Sequence, residues 1–413
     1  MVIEFSVANY RSFYKVQTLS FRASNLKSED KSVDVRNLLT LSDRDTLLKI
    51  VGIYGANASG KSNLLKALSL FKHMVASSLF KDEVGEATYE PFRQNVDPKN
   101  DFGFFQIVLL LNQKKYRYGF SLDHLGRLQK EWLFGPADKN DTYYFQRDKA
   151  KLQINKENFK EGFDLPLDKL REDALFLSFC ASYDGPVSKL IKDFVIRRIT
   201  FDPGRESTYL RGARRQRTDK LVREGKKEVV LDWLREAGIR YTDIKIREAD
   251  NGQRIPFTHV HLYKDIYDEQ GGIVGKTEMD LDLDESQGTR KFYRLIGRLY
   301  QLFEHGGLLV SDDIDGNFHP HLLLKVIQLF QNPKVNRAGA QLLFTSHDTN
   351  VMSPEVMRRD QFYFTEKTLQ DYSRLYSMAD LRGIRNNADF ARRYLAGFYG
   401  ALPQLDNILE QSV

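Results

Sequence analysis

Residues 55–63 read G-A-N-A-S-G-K-S-N. Gly55, Gly60, Lys61 and Ser62 fit the spacing G-x-x-x-x-G-K-S/T, in which backbone N–H groups cradle phosphate oxygens, the lysine reaches the outer phosphates and the hydroxyl binds Mg²⁺. Ala56, Asn57, Ala58, Ser59 and Asn63 complete the loop, which is expected to bind ATP. Such a site needs a carboxylate at the end of a neighbouring apolar strand. The stretch L-L-V-S-D-D-I-D, Leu308 to Asp315, supplies Asp312 to support Mg²⁺ and Asp313 to face the attacking water. His347, closing Q-L-L-F-T-S-H, stands where it could contact the terminal phosphate.

These residues require particular elements around them. I-V-G-I-Y, Ile50 to Tyr54, is a short apolar run of the kind found in a buried parallel strand, and it feeds the loop directly. After the loop, Leu64, Leu65, Leu68, Phe71, Met74 and Val75 recur at helical spacing. The order strand, loop, helix is the one that phosphate binding demands. Two early strands are expected over Val2 to Val7 and Val16 to Phe21, joined through N-Y-R-S-F, and a hairpin around Asn112 to Lys115. From Gly126 to Met279 the pattern changes to amphipathic helical stretches and two strand-like runs about a D-N-G turn at Asp250 to Gly252. The expected organisation is therefore a split nucleotide domain, 1–125 and 280–413, with an inserted, mainly helical lobe at 126–279.

The chain has 413 residues, 41% hydrophobic and 29% charged, enough for a large folded domain and a second lobe. No run approaches the ~18 apolar residues that span a bilayer, and the N-terminus lacks a basic-then-apolar leader, so no membrane association and a cytoplasmic location are expected. Cys180 lies in the apolar run L-F-L-S-F-C-A, where burial is expected over reactivity. His259 and His261 are expected to share one strand face with no cysteine or carboxylate cluster nearby, which argues against a metal site. Between Arg205 and Lys227, nine basic residues face three acids, a surplus equal to the net charge of +6. That segment reads equally well as a footprint for nucleic acid or an acidic partner, or as a solvated helix face.

The stretch E-S-Q-G-T-R-K, Glu285 to Lys291, resembles the Ser-x-Gly signature of ABC-type ATPase heads of the SMC and overcoming-lysogenization-defect kind. In order, N-Y-R-S-F, G-A-N-A-S-G-K-S-N, E-S-Q-G-T, D-D-I-D-G-N-F-H-P, F-T-S-H-D-T-N and R-R-Y-L-A-G-F-Y-G-A-L-P resemble the stand-alone ATPase subunits of abortive-infection and other phage-defence systems. The resemblance implies an α/β fold, a P-loop NTPase of ABC-ATPase type with a mixed sheet. It implies that Ser286 and Gly288 reach the γ phosphate of a second copy, that Asp315 lies in the loop crossing the dimer, and that His347 is the switch histidine. Asp313 then takes the place of a glutamate, and slow Mg²⁺-dependent ATP hydrolysis follows. A glutamine sensing Mg²⁺ is expected between the first helix and the lobe, with Gln94 and Gln106 both eligible.

The partners implied are a second copy of the chain, joined through an ATP sandwich, and a neighbour-encoded toxic effector, for which a nuclease is one candidate. The alternative is a DNA-repair or chromosome-associated ATPase clamp that grips nucleic acid through 205–227. A GTPase or small-molecule kinase is a weaker reading, since no N-K-x-D stretch is present to read guanine and the signature motif would go unexplained.

Overall fold

The computed structural model describes residues 1–41, 46–80, 89–94, 101–137, 141–202, 211–249, 257–316 and 318–403. The chain divides into two compact units: residues 1–201, 307–312 and 339–413 form one, residues 202–306 and 313–338 the other.

In the first unit, alternating apolar residues build a seven-stranded antiparallel sheet in the order Lys151–Ile154, Asp141–Asp148, Leu128–Pro136, Lys114–Leu122, Gly103–Leu111, Val2–Ala8, Gln17–Ser20. The expected hairpin closes through Asn112 and Gln113, whose φ angles of 50° and 61° suit the primed two-residue turn that matches strand twist. The helix Lys61–Ser77 lays its apolar stripe on this sheet. Its Phe71 ring lies 6.0 Å from Phe5, 5.9 Å from Tyr118 and 5.3 Å from Phe120. One buried cluster continues through the helix to Val51, Ile53, Leu308, Val310 and Leu343.

Those last residues belong to a six-stranded sheet in the order Ile199–Phe201, Leu308–Ser311, Gln341–Thr345, Ile50–Tyr54, Phe362–Lys367, Ser373–Ser377. All neighbours are parallel except the last pair. Parallel strands bury both faces, which is why they read as continuous apolar runs rather than alternation. Their shared direction brings Gly55, Asp312 and Ser346 to the carboxyl edge of adjacent strands, where ligands bind in sheets of this kind.

The expected inserted lobe does not begin at 126. Strands Leu128–Pro136, Asp141–Asp148 and Lys151–Ile154 extend the N-terminal sheet, and the change of unit falls at 202. The pattern break at Gly126 is a tight turn: Asp123 accepts the N–H groups of Leu125 and Arg127, and Gly126 has φ 79°. Buried Glu131 then ties sheet to helix, accepting from the N–H groups of Phe176 (2.6 Å) and Leu177 (2.9 Å) and from the Tyr118 hydroxyl (2.9 Å). Burial pushes its carboxyl above the usual range, and these donors together with Arg147 oppose the rise. Glu131→Ala should leave three buried donors unsatisfied and lower the unfolding free energy by about 3 kcal/mol or more, measured by urea titration. A loss below ~1 kcal/mol would contradict this account.

Cys180, in the helix Phe176–Ser182, is fully buried, and burial pushes its thiol far above the ordinary value. Burial over reactivity is what its apolar context predicts.

The second unit is mixed. It holds helices Arg211–Arg223, Lys227–Glu236, Gln287–His305 and Pro320–Gln331 and a three-stranded antiparallel sheet of Asp243–Ala249, Phe257–Tyr267 and Ile273–Asp280. The D-N-G turn falls outside the described residues, while the strands flanking it pair as expected. Gly297 is where Arg211–Arg223 crosses Gln287–His305: a Cβ there would stand 2.4 Å from the Thr218 nitrogen. The Thr218 hydroxyl donates to the Tyr293 carbonyl (2.7 Å) and accepts from the Gly297 N–H (2.9 Å), stitching the two helices together. Among the described residues, no helix is long and apolar enough to cross a membrane.

Candidate nucleotide site

The loop after Ile50–Tyr54 is shaped by its glycines. Gly55 has φ 148° and Gly60 φ 118°. A Cβ on Gly55 would lie 2.3 Å from the Thr365 carbonyl oxygen, and one on Gly60 the same distance from Ser373 Oγ. Only glycine fits either place. Gly60 also caps the helix Lys61–Ser77 without any side-chain hydrogen bond, and a helix N-terminus opening from a glycine-rich loop is where phosphate binds. Lys61, 6% exposed, folds its ammonium back onto the carbonyls of Gly55 (2.8 Å) and Ala56 (3.1 Å).

Beside it, the Asp312 carboxylate accepts from Ser62 Oγ at 3.1 Å and from Thr345 Oγ1 at 2.6 Å. The hydroxyl and carboxylate singled out from the sequence therefore meet. Thr345 is the partner that sequence reasoning missed. A hydroxyl and a carboxylate are hard oxygen donors, and Mg²⁺ is bound by one or two such groups with phosphates completing its shell. The donor set fits that ion. Among the described residues, no group of three or more His, Cys, Asp or Glu could hold a metal alone. His347 is exposed two residues beyond Gln341–Thr345, the strand paired with Ile50–Tyr54.

In the second unit, Ser286 caps the helix Gln287–His305, accepting from the Thr289 N–H at 3.2 Å, and is itself exposed; Gly288 is half-buried. Asp313 and Asp315 are half-buried in the turn that follows Asp312. Asp313 has φ 46°, unusual for a residue other than glycine. Lys291 donates to the carbonyls of Asp313, Ile314 and Gly316. Burial pushes its ammonium down from its ordinary value, while Asp202, Asp315 and Asp313 pull it back up.

A family model described as "AAA domain, putative AbiEii toxin, Type IV TA system" matches residues 50–353, from the strand before the phosphate loop to beyond His347. The chain belongs to that family. It is the ATPase group of abortive-infection systems that the motifs resemble, and the fold is the expected α/β P-loop NTPase with a mixed sheet. No curated protein matches the chain. Among solved structures it is similar to the SMC head domain from Thermotoga maritima, at 12% identity and a TM-score of 0.42 over 91% of this chain and 98% of that one. It is similar too to an SmcHead bound to the C-winged helix domain of ScpA, at 13% and 0.44 over 91% and 97%. A third is an Smc head with an extended coiled coil bound to the C-terminal domain of ScpA, derived from Pyrococcus furiosus, at 13% and 0.41 over 91% and 96%.

This AbiEii-type AAA domain also fixes its phosphate loop with residues that carry no chemistry of their own. Ser59 Oγ meets Thr365 Oγ1 at 2.6 Å, and Ser373 Oγ reaches the Ser59 carbonyl (2.6 Å) and Ser12 Oγ (2.8 Å). Ser12 in turn accepts from Asn63 at 2.9 Å. The Ala56 N–H donates to the Ala401 carbonyl at 2.9 Å, so the C-terminal G-F-Y-G-A-L-P segment rests on the loop. Ser12 and Ala401 lie in motifs visible in the sequence, whereas Thr365 and Ser373 left no signal there.

The two glutamines differ in place. Gln106 accepts from Trp132 Nε1 on the sheet face opposite Phe105 and Ile107, which share the buried cluster with the helix Lys61–Ser77. Gln94 donates to Asp371, and its segment is held to the Tyr10 to Phe13 loop through Arg11 N–H to the Glu90 carbonyl (2.7 Å).

Part of the basic segment, 203–210, lies outside the described residues. Of its other cations, Lys220 pairs with Glu224, Lys227 with Asp243, and Lys226 sits 5.0 Å over the Tyr300 ring. Burial lowers the Arg217 value. His259 and His261 each have one carboxylate beside them: antiparallel pairing sets Asp280 2.9 Å and Glu278 2.8 Å from their Nδ1 atoms. His319 caps the helix Pro320–Gln331.

Proposed function

We propose that the chain binds ATP with Mg²⁺ at residues 55–63, hydrolyses it slowly, and dimerises around it to hold or trigger a neighbour-encoded toxic effector in antiphage defence. The observation that carries the reading is the meeting of a helix N-terminus without a side-chain cap, Lys61, and the Ser62–Asp312–Thr345 cluster at the carboxyl edge of the parallel strands of one sheet. In this reading the backbone N–H groups and Lys61 bind the phosphates, and Ser62 and Asp312 hold Mg²⁺. That ion supplies neutralisation of phosphate charge. Asp313 orients water, and His347 contacts the terminal phosphate. Gln94 is assigned as the sensing glutamine, because Gln106 faces away from the helix of the phosphate loop.

The exposed Ser286 at a helix start supports a role toward a second copy, with Gly288 beside it and Asp315 in the crossing loop. The family description, which names a toxin and a toxin–antitoxin system, supports the defence setting. The test is a tagged pull-down of the full chain expressed with its flanking genes, with ATP and Mg²⁺ present, followed by mass measurement and sequencing of bound nucleic acid. A stoichiometric neighbour-encoded protein is expected. Bound DNA without a protein partner would overturn the effector reading in favour of a nucleic-acid clamp.

A further inference from the structure

Lys291 stands five residues after Ser286 on the helix Gln287–His305, and its side chain reaches the turn that carries Asp313. An ammonium has three donors. Here they meet three backbone carbonyls, of Asp313 at 3.1 Å, Ile314 at 2.8 Å and Gly316 at 2.9 Å. The Gly316 N–H donates to the same Asp313 carbonyl at 2.9 Å and closes the turn, and the Phe318 ring lies 4.6 Å from the ammonium. Asp313 itself holds φ 46°. A non-glycine residue keeps such a backbone only where its surroundings over-determine it. Charge-assisted hydrogen bonds are the strongest restraints available to a turn of this kind.

We infer that Lys291 is a positioning residue, which clamps the Asp313–Gly316 turn to the helix that begins at Ser286 and so sets where the Asp313 carboxylate points. The kinetic consequence rests on the ATPase reading; the clamp does not. The side chain touches neither phosphate nor water in this account and acts only through the Asp313 backbone. It also ties the turn containing Asp315 to the helix whose first residues are offered to a second copy. A displacement at one is transmitted to the other by one side chain.

Lys291→Met keeps a stem of similar length and removes the donors together with the charge over the Phe318 ring. Two measurements are made on the full-length variant. The first is hydrogen exchange of the Gly316 and Phe318 amides without nucleotide, expected to quicken at least about tenfold once the clamp is gone. The second is steady-state ATP hydrolysis, expected to show kcat lowered on the order of a hundredfold with KM changed less than about threefold. Lys291→Arg, which restores a cation with several donors, should recover part of kcat. Unchanged exchange would overturn the clamp. Quickened exchange with unchanged kcat, or a loss confined to KM, would overturn the positioning role. A wild-type chain that neither binds nor hydrolyses ATP would overturn the function reading, while the exchange measurement would still decide the clamp.

Discussion

Replacing Lys61 by alanine is expected to weaken ATP binding by at least about a hundredfold and to reduce hydrolysis on the order of a thousandfold. The size follows from where the ammonium sits. It is 6% exposed and rests on the Gly55 and Ala56 carbonyls, so it is already drawn out of water and aimed along the loop. Charge held ready in a site poor in water acts on phosphate more strongly than the same charge in solvent, and little reorganisation is needed when the nucleotide arrives. The Ala56 peptide is anchored on its other side by the Ala401 carbonyl, which keeps the lysine's resting place fixed. The variant should lose about 1 kcal/mol per hydrogen bond that the buried ammonium makes to the Gly55 and Ala56 carbonyls, a cost that a thermal melt separates from loss of ATP binding. Titration with a fluorescent ATP analogue and a phosphate-release assay read the two effects. Hydrolysis within threefold of wild type would remove the phosphate loop from the chemistry and with it the proposed function.

The phosphate loop was legible because its chemistry demands glycine at fixed places, and the structure gives the reason at each: a carbonyl behind Gly55 and a hydroxyl behind Gly60. Asp312 was legible because a buried parallel strand reads as an apolar run ending in a carboxylate. What supports them was not. Thr345, Thr365 and Ser373 act by hydrogen bonds from strands to loop residues far away in sequence, and a lone hydroxyl in a strand carries no periodic signal. The expected boundary at 126 misplaced the lobe because a tight turn at Asp123 to Arg127 changed the local pattern without changing the sheet. Buried Glu131 accepts from Tyr118 and Phe176, and buried Arg147 donates to the Ala174 carbonyl, which ties that region into the N-terminal sheet. Charged residues in an apolar core are what a reading of hydrophobic periodicity handles worst. The histidine pairs with Glu278 and Asp280 were hidden for a related reason, since strand register decides which residues face each other.

Asp313→Glu should raise kcat for ATP hydrolysis by about tenfold or more. Aspartate carries the charge expected of the group that orients water but is one methylene shorter, and a catalytic group displaced by about 1 Å can lose on the order of a hundredfold in rate. The structure adds an opposing consideration. At φ 46° the backbone of Asp313 is left-handed, where aspartate is tolerated better than glutamate. The substitution therefore carries a small cost in stability along with its gain in reach, and the Lys291 clamp on the Asp313 carbonyl should keep the backbone from relaxing away. Faster hydrolysis would shorten the ATP-bound state that the proposed function uses to hold an effector, so the same variant should release its partner sooner in a timed pull-down with a fixed amount of ATP. If kcat instead stays level or falls, the shorter side chain is matched to the left-handed backbone. The aspartate pair would then serve hydrolysis at an ordinary rate, and the slow, ATP-holding state would lose its chemical basis.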